Sequence, residues 1–190
     1  MELSCSLFNH KITKSYIYIY IFYRLRRLVS ISILKSVYYA LVHSNLLYGI
    51  IGWGGILDSH LSTVNIIQNT ILKVMFKKSR MFPTKELYAE VMIPDIRQMY
   101  VQELVTFFHN KKLVEANSKH NTRLKAKVNV NIPRCFSFHG QRHSRYLGPR
   151  VYNLVPTDII HSKKYLSKKK IRQWIFNTDC NQLINFHHSM

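Results

Sequence analysis

Cys135, His139 and His143 recur at every fourth residue, and on a helix three such side chains would share one face. That spacing raises zinc binding. A structural zinc site wants four ligands, however, and a fourth would have to come from Cys180 or His187. Pro133 just before the set and Gly140 within it make a continuous ligand helix awkward. The expectation is therefore two solvent-side histidines and a partly buried cysteine, with no metal and no cofactor assigned. Carboxylates are no better placed. Phosphoryl transfer with two metals needs clustered acids, yet the nine acidic residues include no Asp-Asp pair and no Asp-x-Asp. Asp95, Glu103 and Asp158 read as a helix-start charge, a solvated helix residue and a turn residue. The glycines between Gly49 and Gly55 lack the Lys-Ser/Thr of a phosphate loop and suit helix termination. No Ser, His and Asp pair convincingly for nucleophilic catalysis, so no catalytic residue is assigned.

The chemistry on offer is cationic. Lys and Arg number 28 against 9 Asp and Glu, a formal net charge of +19, with a sequence pI near 10.0. Such a surface attracts an anionic partner, either nucleic acid or acidic lipid. The imbalance is uneven: after Ser118 there are 14 basic residues, opposed by Asp158 and Asp179 alone. Three groups stand out. Arg24, Arg26 and Arg27 precede a long apolar run. Arg134, Arg142, Arg145 and Arg150 are interleaved with Phe136, Phe138, Tyr146 and Tyr152, an arrangement in which the tyrosines either pack against a helical body or stack on unpaired bases. Lys163, Lys164, Lys168, Lys169, Lys170 and Arg172 form the densest run, suited to neutralising phosphates without reading bases. Lys73, Lys77 and Lys78 end another helical pattern, where cations complement the carbonyl end.

The elements that would position these groups are mostly helical. Ser36 to Leu57 is 22 residues without a formal charge, long enough for a membrane span. The consecutive His43, Ser44 and Asn45 and the terminal glycines favour a buried helix instead. Ser30 or Ser32 would cap it, with Leu34, Tyr38, Leu41 and Asn45 along one face. A second helix is expected from Ser62 to about Lys78, through Val64, Ile67, Ile71, Val74 and Met75. Thr84 opens a short helical segment. A third long helix begins at Pro94, with Ile96, Met99, Tyr100, Leu104, Phe107 and Phe108 as its apolar face.

Other stretches are less regular. YIYIYIF, residues 16 to 22, alternates strictly and suits a short strand. Residues 116 to 150 read as loop and short strand, including Val128 to Ile132. Helical periodicity returns weakly from Ser162, through Leu166, Lys170, Ile171, Trp174 and Ile175, and the tail after Asn177 is polar without a period. A domain boundary is expected near residues 113 to 120. The three cysteines, Cys5, Cys135 and Cys180, are odd in number and far apart, which fits a reducing, intracellular setting, cytoplasmic or nuclear.

The order of motifs carries a resemblance. YRLRRLVSISILKSVYYALVHSNLLYGIIGWGG, then STVNIIQNTILKVMF, then the turn and helix through Met92-Ile93-Pro94 follow one another. His120-Asn-Thr-Arg123 and IPRCFSFHGQRHSRYLGPRVYNLVP come after them, and the lysine-rich helix to Phe176 completes the series. This order resembles the thumb and the region beyond it in reverse transcriptases of non-LTR retrotransposons, especially jockey-like elements. Tyr152 stands where that family carries Trp, keeping an aromatic. The resemblance implies a mainly α fold: a small thumb-like helical bundle over residues 23–115, then an irregular basic segment with a C-terminal helix over residues 116–176. Residues 1–22 would be a divergent leader and 177–190 a polar tail. It also implies a non-catalytic piece of an RNA-directed DNA polymerase, because the family's catalytic carboxylates lie in fingers and palm and its endonuclease is a separate domain. The implied partners are RNA, DNA or an RNA–DNA hybrid, together with the missing polymerase regions, and no membrane. The alternative is a structural or protein-interaction remnant that self-associates through apolar faces centred on Leu41, Ile67 and Phe107.

Overall fold

A computed structural model describes residues 17–110, 130–162 and 164–184. Among them every regular element is a helix. The chain divides into two compact units, Met1–Ile96 and Arg97–Met190. The boundary expected near residues 113 to 120 lies outside the described residues, as do His120–Arg123, residues 128 and 129, Cys5 and His187.

The first unit opens with α1, residues 17–25, where strict alternation predicted a strand. Burial explains the correction. A strand would place Tyr20 and Phe22 on one face, yet Phe22 is fully buried and Tyr20 stands in solvent. Phe22 packs toward Tyr38, with ring centroids 6.5 Å apart, and Asn45 Nδ2 donates to the Tyr18 hydroxyl at 2.9 Å. Tyr18 and Phe22 are four residues apart, a helical spacing that alternating Tyr and Ile permits equally well.

The uncharged run forms α2 (Ile31–Tyr38), a π-helical turn (Tyr39–His43) and α3 (Ser44–Leu47). Ser30 occupies the N-cap position with extended backbone. Leu34, Tyr38, Val42 and Leu46 are buried, each four residues after the last. In an α-helix every such step drifts by about 40°. The π turn has the same hand but more residues per turn, so a four-residue step drifts in the opposite sense there and returns Val42 and Leu46 to the buried side. Gly49 then takes φ +66, a left-handed conformation that ends the run, and α4 (Ile50–Trp53) follows. No helix of the described residues is long and apolar enough to cross a membrane.

The next helix, α5 (Asp58–Met75), starts a turn earlier than Ser62, with Asp58 in its first turn. A carboxylate there complements the exposed amides. Ser62 is an interior residue whose hydroxyl donates to the Ser59 carbonyl at 2.7 Å. Leu61, Val64, Ile67, Ile71, Leu72 and Met75 make its buried face. Ile67 is therefore covered, not the centre of an open apolar face. At the far end Lys77 adopts φ 54. Its amide bonds the Val74 carbonyl at 3.3 Å, and that of Lys78 bonds the Lys73 carbonyl at 2.9 Å. This is a Schellman closure with lysine in the place usually held by glycine. Helix α6 (Thr84–Val91) begins at Thr84 as expected and docks on α5 through a 2.7 Å bond from the Tyr88 hydroxyl to Asn69 Oδ1.

In the second unit, α7 (Ile96–Asn110) begins two residues after Pro94. Met99, Tyr100, Leu104 and Phe108 are buried, as are Val101 and Val105 beside them. Short helices follow: α8 (Phe138–Gln141), α9 (Ser144–Tyr152) and α10 (Thr157–Ile160). Residues 130 to 136 carry no strand. Val130 has its backbone matched by a side chain instead. Its amide donates to Asn153 Oδ1 at 2.8 Å and its carbonyl accepts from Asn153 Nδ2 at 2.9 Å. Helix α11 (Lys164–Phe176) buries Ile171 and Ile175. The tail called polar forms a last helix, α12 (Cys180–Ile184), because Asp179 Oδ1 accepts the amides of Asn181 and Gln182 at 2.9 and 3.3 Å.

Candidate nucleic-acid interface

Two of the basic groups meet in the first unit. Arg26, just past α1, reaches the Val74 carbonyl with its guanidinium at 3.5 Å, across 48 residues of sequence. The last carbonyls of a helix lack amide partners and carry partial negative charge, so they attract a cation. Arg26 is thereby brought to the carbonyl end of α5, the stretch that carries Lys73, Lys77 and Lys78, and Arg24 and Arg27 neighbour it in sequence. The arginines also lie along two tyrosines. Arg26 lies 4.3 Å and Arg27 5.6 Å from the Tyr23 ring centroid, while Arg24 lies 5.9 Å from that of Tyr20. These are cation–π distances, and both tyrosines are exposed.

The lysines are held differently from one another. Lys73 Nζ donates to the Arg80 carbonyl at 2.7 Å, closing the turn after α5. Lys78 pairs with Glu90 at 2.6 Å and lies 4.7 Å from the Phe82 ring. Both partners are partly exposed, so the pair adds little stability, although it uses part of the charge. Lys77 is exposed on its left-handed backbone. Sequence reasoning missed Lys35, which joins this face by donating to the Val91 carbonyl at 3.4 Å with the Phe76 ring 5.6 Å away. A single lysine at the edge of an uncharged run gave no charge cluster to notice. Tyr20 lies in the alternating run that suits a strand, and Tyr23 stands at its edge, so the sequence marks neither as a ring beside these cations.

In the second unit, Arg134 and Arg145 are exposed and Arg150 is half-buried. Arg142 lies 5.2 Å from the Phe138 ring. Tyr152 is buried, and its hydroxyl sits 3.3 Å from His109 Nδ1. Of the two roles left open for it, packing is the one observed. Lys168, Lys169, Lys170 and Arg172 are exposed on α11, and Arg172 lies 5.8 Å from the Phe176 ring. Lys163 lies outside the described residues, and Lys164 is the first residue of α11. Glu103, expected to be a solvated helix residue, is half-buried on α7. Burial raises its carboxyl above the ordinary range, and the nearby Lys168 ammonium opposes that rise.

The Cys135, His139 and His143 set is used for local structure. His143 Nδ1 accepts the Arg145 amide at 3.2 Å and caps α9. His139 stands edge-on to Phe138 at 5.7 Å. Among the described residues no three of His, Cys, Asp and Glu gather at metal-holding distance. Comparisons with protein-family models, with curated proteins and with solved structures find no match to this chain.

Proposed function

We propose that this chain is a thumb-like, nucleic-acid-binding piece of a non-LTR retrotransposon reverse transcriptase, which holds the phosphate backbone of an RNA template, nascent DNA or their hybrid. The Arg26–Val74 contact carries the reading, because it assembles one basic face from residues far apart in sequence. The order of motifs from Tyr23 to Phe176 supports the family, and the net charge of +19 supports the sign of the partner. Arg24, Arg27 and Lys77, all exposed, are assigned to phosphates. In the second unit, the exposed lysines of α11 are assigned to phosphates as well. No chemical step is assigned to any residue.

Titration of the purified chain with an RNA–DNA hybrid, matched duplex DNA and single-stranded RNA, each at low and near-physiological salt, tests the reading. Binding that favours the hybrid and persists at the higher salt is expected. Equal, weak binding to all three that vanishes with salt overturns it. A second reading, an interaction remnant, is favoured by the exposure of Leu28, Ile33 and Ile66. Concentration-dependent association without affinity for nucleic acid would identify it.

A further inference from the structure

Phe136 is 95% exposed, the most exposed large hydrophobic side chain among the described residues. A lone apolar residue in solvent needs no explanation. This one differs in three respects. First, its backbone is held on both sides. The Cys135 carbonyl accepts from Gln141 Nε2 at 3.0 Å, and the Ser137 hydroxyl accepts the Gly140 amide at 3.1 Å as the cap of α8. The Cys135 thiol lies 3.7 Å from the Ser137 carbonyl. Gly140 permits this close turn, since a Cβ there would run into Cys135 Sγ and Ser137 Oγ.

Second, Phe136 is followed by another exposed ring, Phe138, which carries Arg142 at 5.2 Å. Third, the surrounding sequence has one sign of charge. Arg134 and Arg145 are exposed nearby in sequence, and no Asp or Glu occurs between residues 116 and 157. An aromatic face presented from a braced backbone among guanidinium groups suits a flat, π-rich ligand that bears negative charge at its edge. An apolar partner would not call for that charge.

We propose that the loop entering α8 is a seat for an unpaired base of single-stranded nucleic acid. Phe136 stacks on the base, and Arg134, Arg142 and Arg145 hold the flanking phosphates. The seat rests on the reading above for the class of partner, but it uses residues other than Arg24, Arg26, Arg27 and the lysines at the end of α5, and it does not need a duplex. Stacking tolerates any base, so the expected preference is for unpaired over paired strands, without sequence specificity.

The test uses the full chain and short single-stranded oligonucleotides containing one 2-aminopurine, in RNA and DNA forms, with an RNA–DNA hybrid titrated in parallel. Stacking on an aromatic ring quenches that fluorophore. Quenching on binding is expected in at least one single-stranded form, and the tighter form identifies the preferred sugar. Phe136→Ala should abolish the quenching and weaken single-strand binding by about five- to a hundredfold. Phe136→Trp should retain both. Because Phe136 is exposed, circular dichroism should show both variants folded. A chain that quenches the probe but does not bind the hybrid keeps the seat and fails the thumb reading. A chain that binds the hybrid but leaves the single-stranded probe unquenched fails the seat alone. Undiminished single-strand affinity in Phe136→Ala overturns the proposal, as does a variant that loses only self-association, which would give the ring to a protein partner.

Discussion

Gly148 sits where no side chain fits: a Cβ would enter the Phe108 ring, itself nearly buried. Gly148→Ala is expected to destabilise the protein by about 1–3 kcal/mol, the usual cost of overpacking. Urea unfolding should show the loss, and Phe108→Leu in the same chain should recover part of it, because the two residues share one space. Glu103 gives a pH signature instead. Burial raises its carboxyl above the ordinary carboxylate value while Lys168 pulls it down. A raised value in the folded state means that folding favours the protonated form. This contribution is present below the unfolded carboxylate value and is lost as pH rises through the folded one. Glu103→Gln should therefore raise the melting temperature at neutral pH, and the gain should fade as pH falls and be gone by about pH 3, where the wild-type carboxyl is protonated in both states. Glu103 itself was visible in the sequence, but its half-burial was not, since a glutamate on a long helix is by default a solvated one.

Gln68 is 1% exposed in α5 and joins three stretches of the first unit. Its Nε2 donates to the Tyr38 hydroxyl of α2 and to the Pro94 carbonyl before α7, each at 3.0 Å. Burial pushes the Tyr38 phenol well up and the Gln68 bond works against that. Gln68→Ala leaves a buried carbonyl and hydroxyl short of a donor and opens a cavity. A loss of about 2–4 kcal/mol is expected in thermal unfolding. The helices whose apolar residues recur at 3.6-residue spacing, α5 and α7, were legible in the sequence to within a turn. Other elements depended on signals that periodicity does not carry. The alternating run is a helix that buries Phe22 and leaves Tyr20 in solvent, which its period of two does not announce. Asp179 starts α12 by capping it, and Asn153 replaces the strand partner that Val130 would otherwise need.

Charge is the property of the whole molecule. With +19 distributed over both units, most of the binding energy for an anionic polymer should come from release of counterions. Replacing Arg24 and Arg27 together by Gln removes two exposed cations while leaving Arg26 on the Val74 carbonyl. The slope of log affinity against log salt should become shallower by about 2, read by fluorescence anisotropy between about 50 and 200 mM salt. An unchanged slope would show that these arginines do not meet phosphates. The members of this face could be named from runs of Arg and Lys, but their assembly could not. Nothing local pairs residue 26 with residue 74, and a solitary Lys35 makes no run.

The π turn between α2 and α3 also bears on how this protein can change in length. With one residue fewer, a plain α-helix would carry Leu34, Tyr38 and the residues now numbered Val42 and Leu46 at steps of four, three and four, a spacing that keeps them on one stripe. With one residue more, the second pair would swing about 100° further round. Deletion of Leu41 should therefore give a chain that melts close to the wild type, whereas an alanine inserted after Leu41 should lower the melting temperature sharply. The helix is lenient to shortening and strict against lengthening.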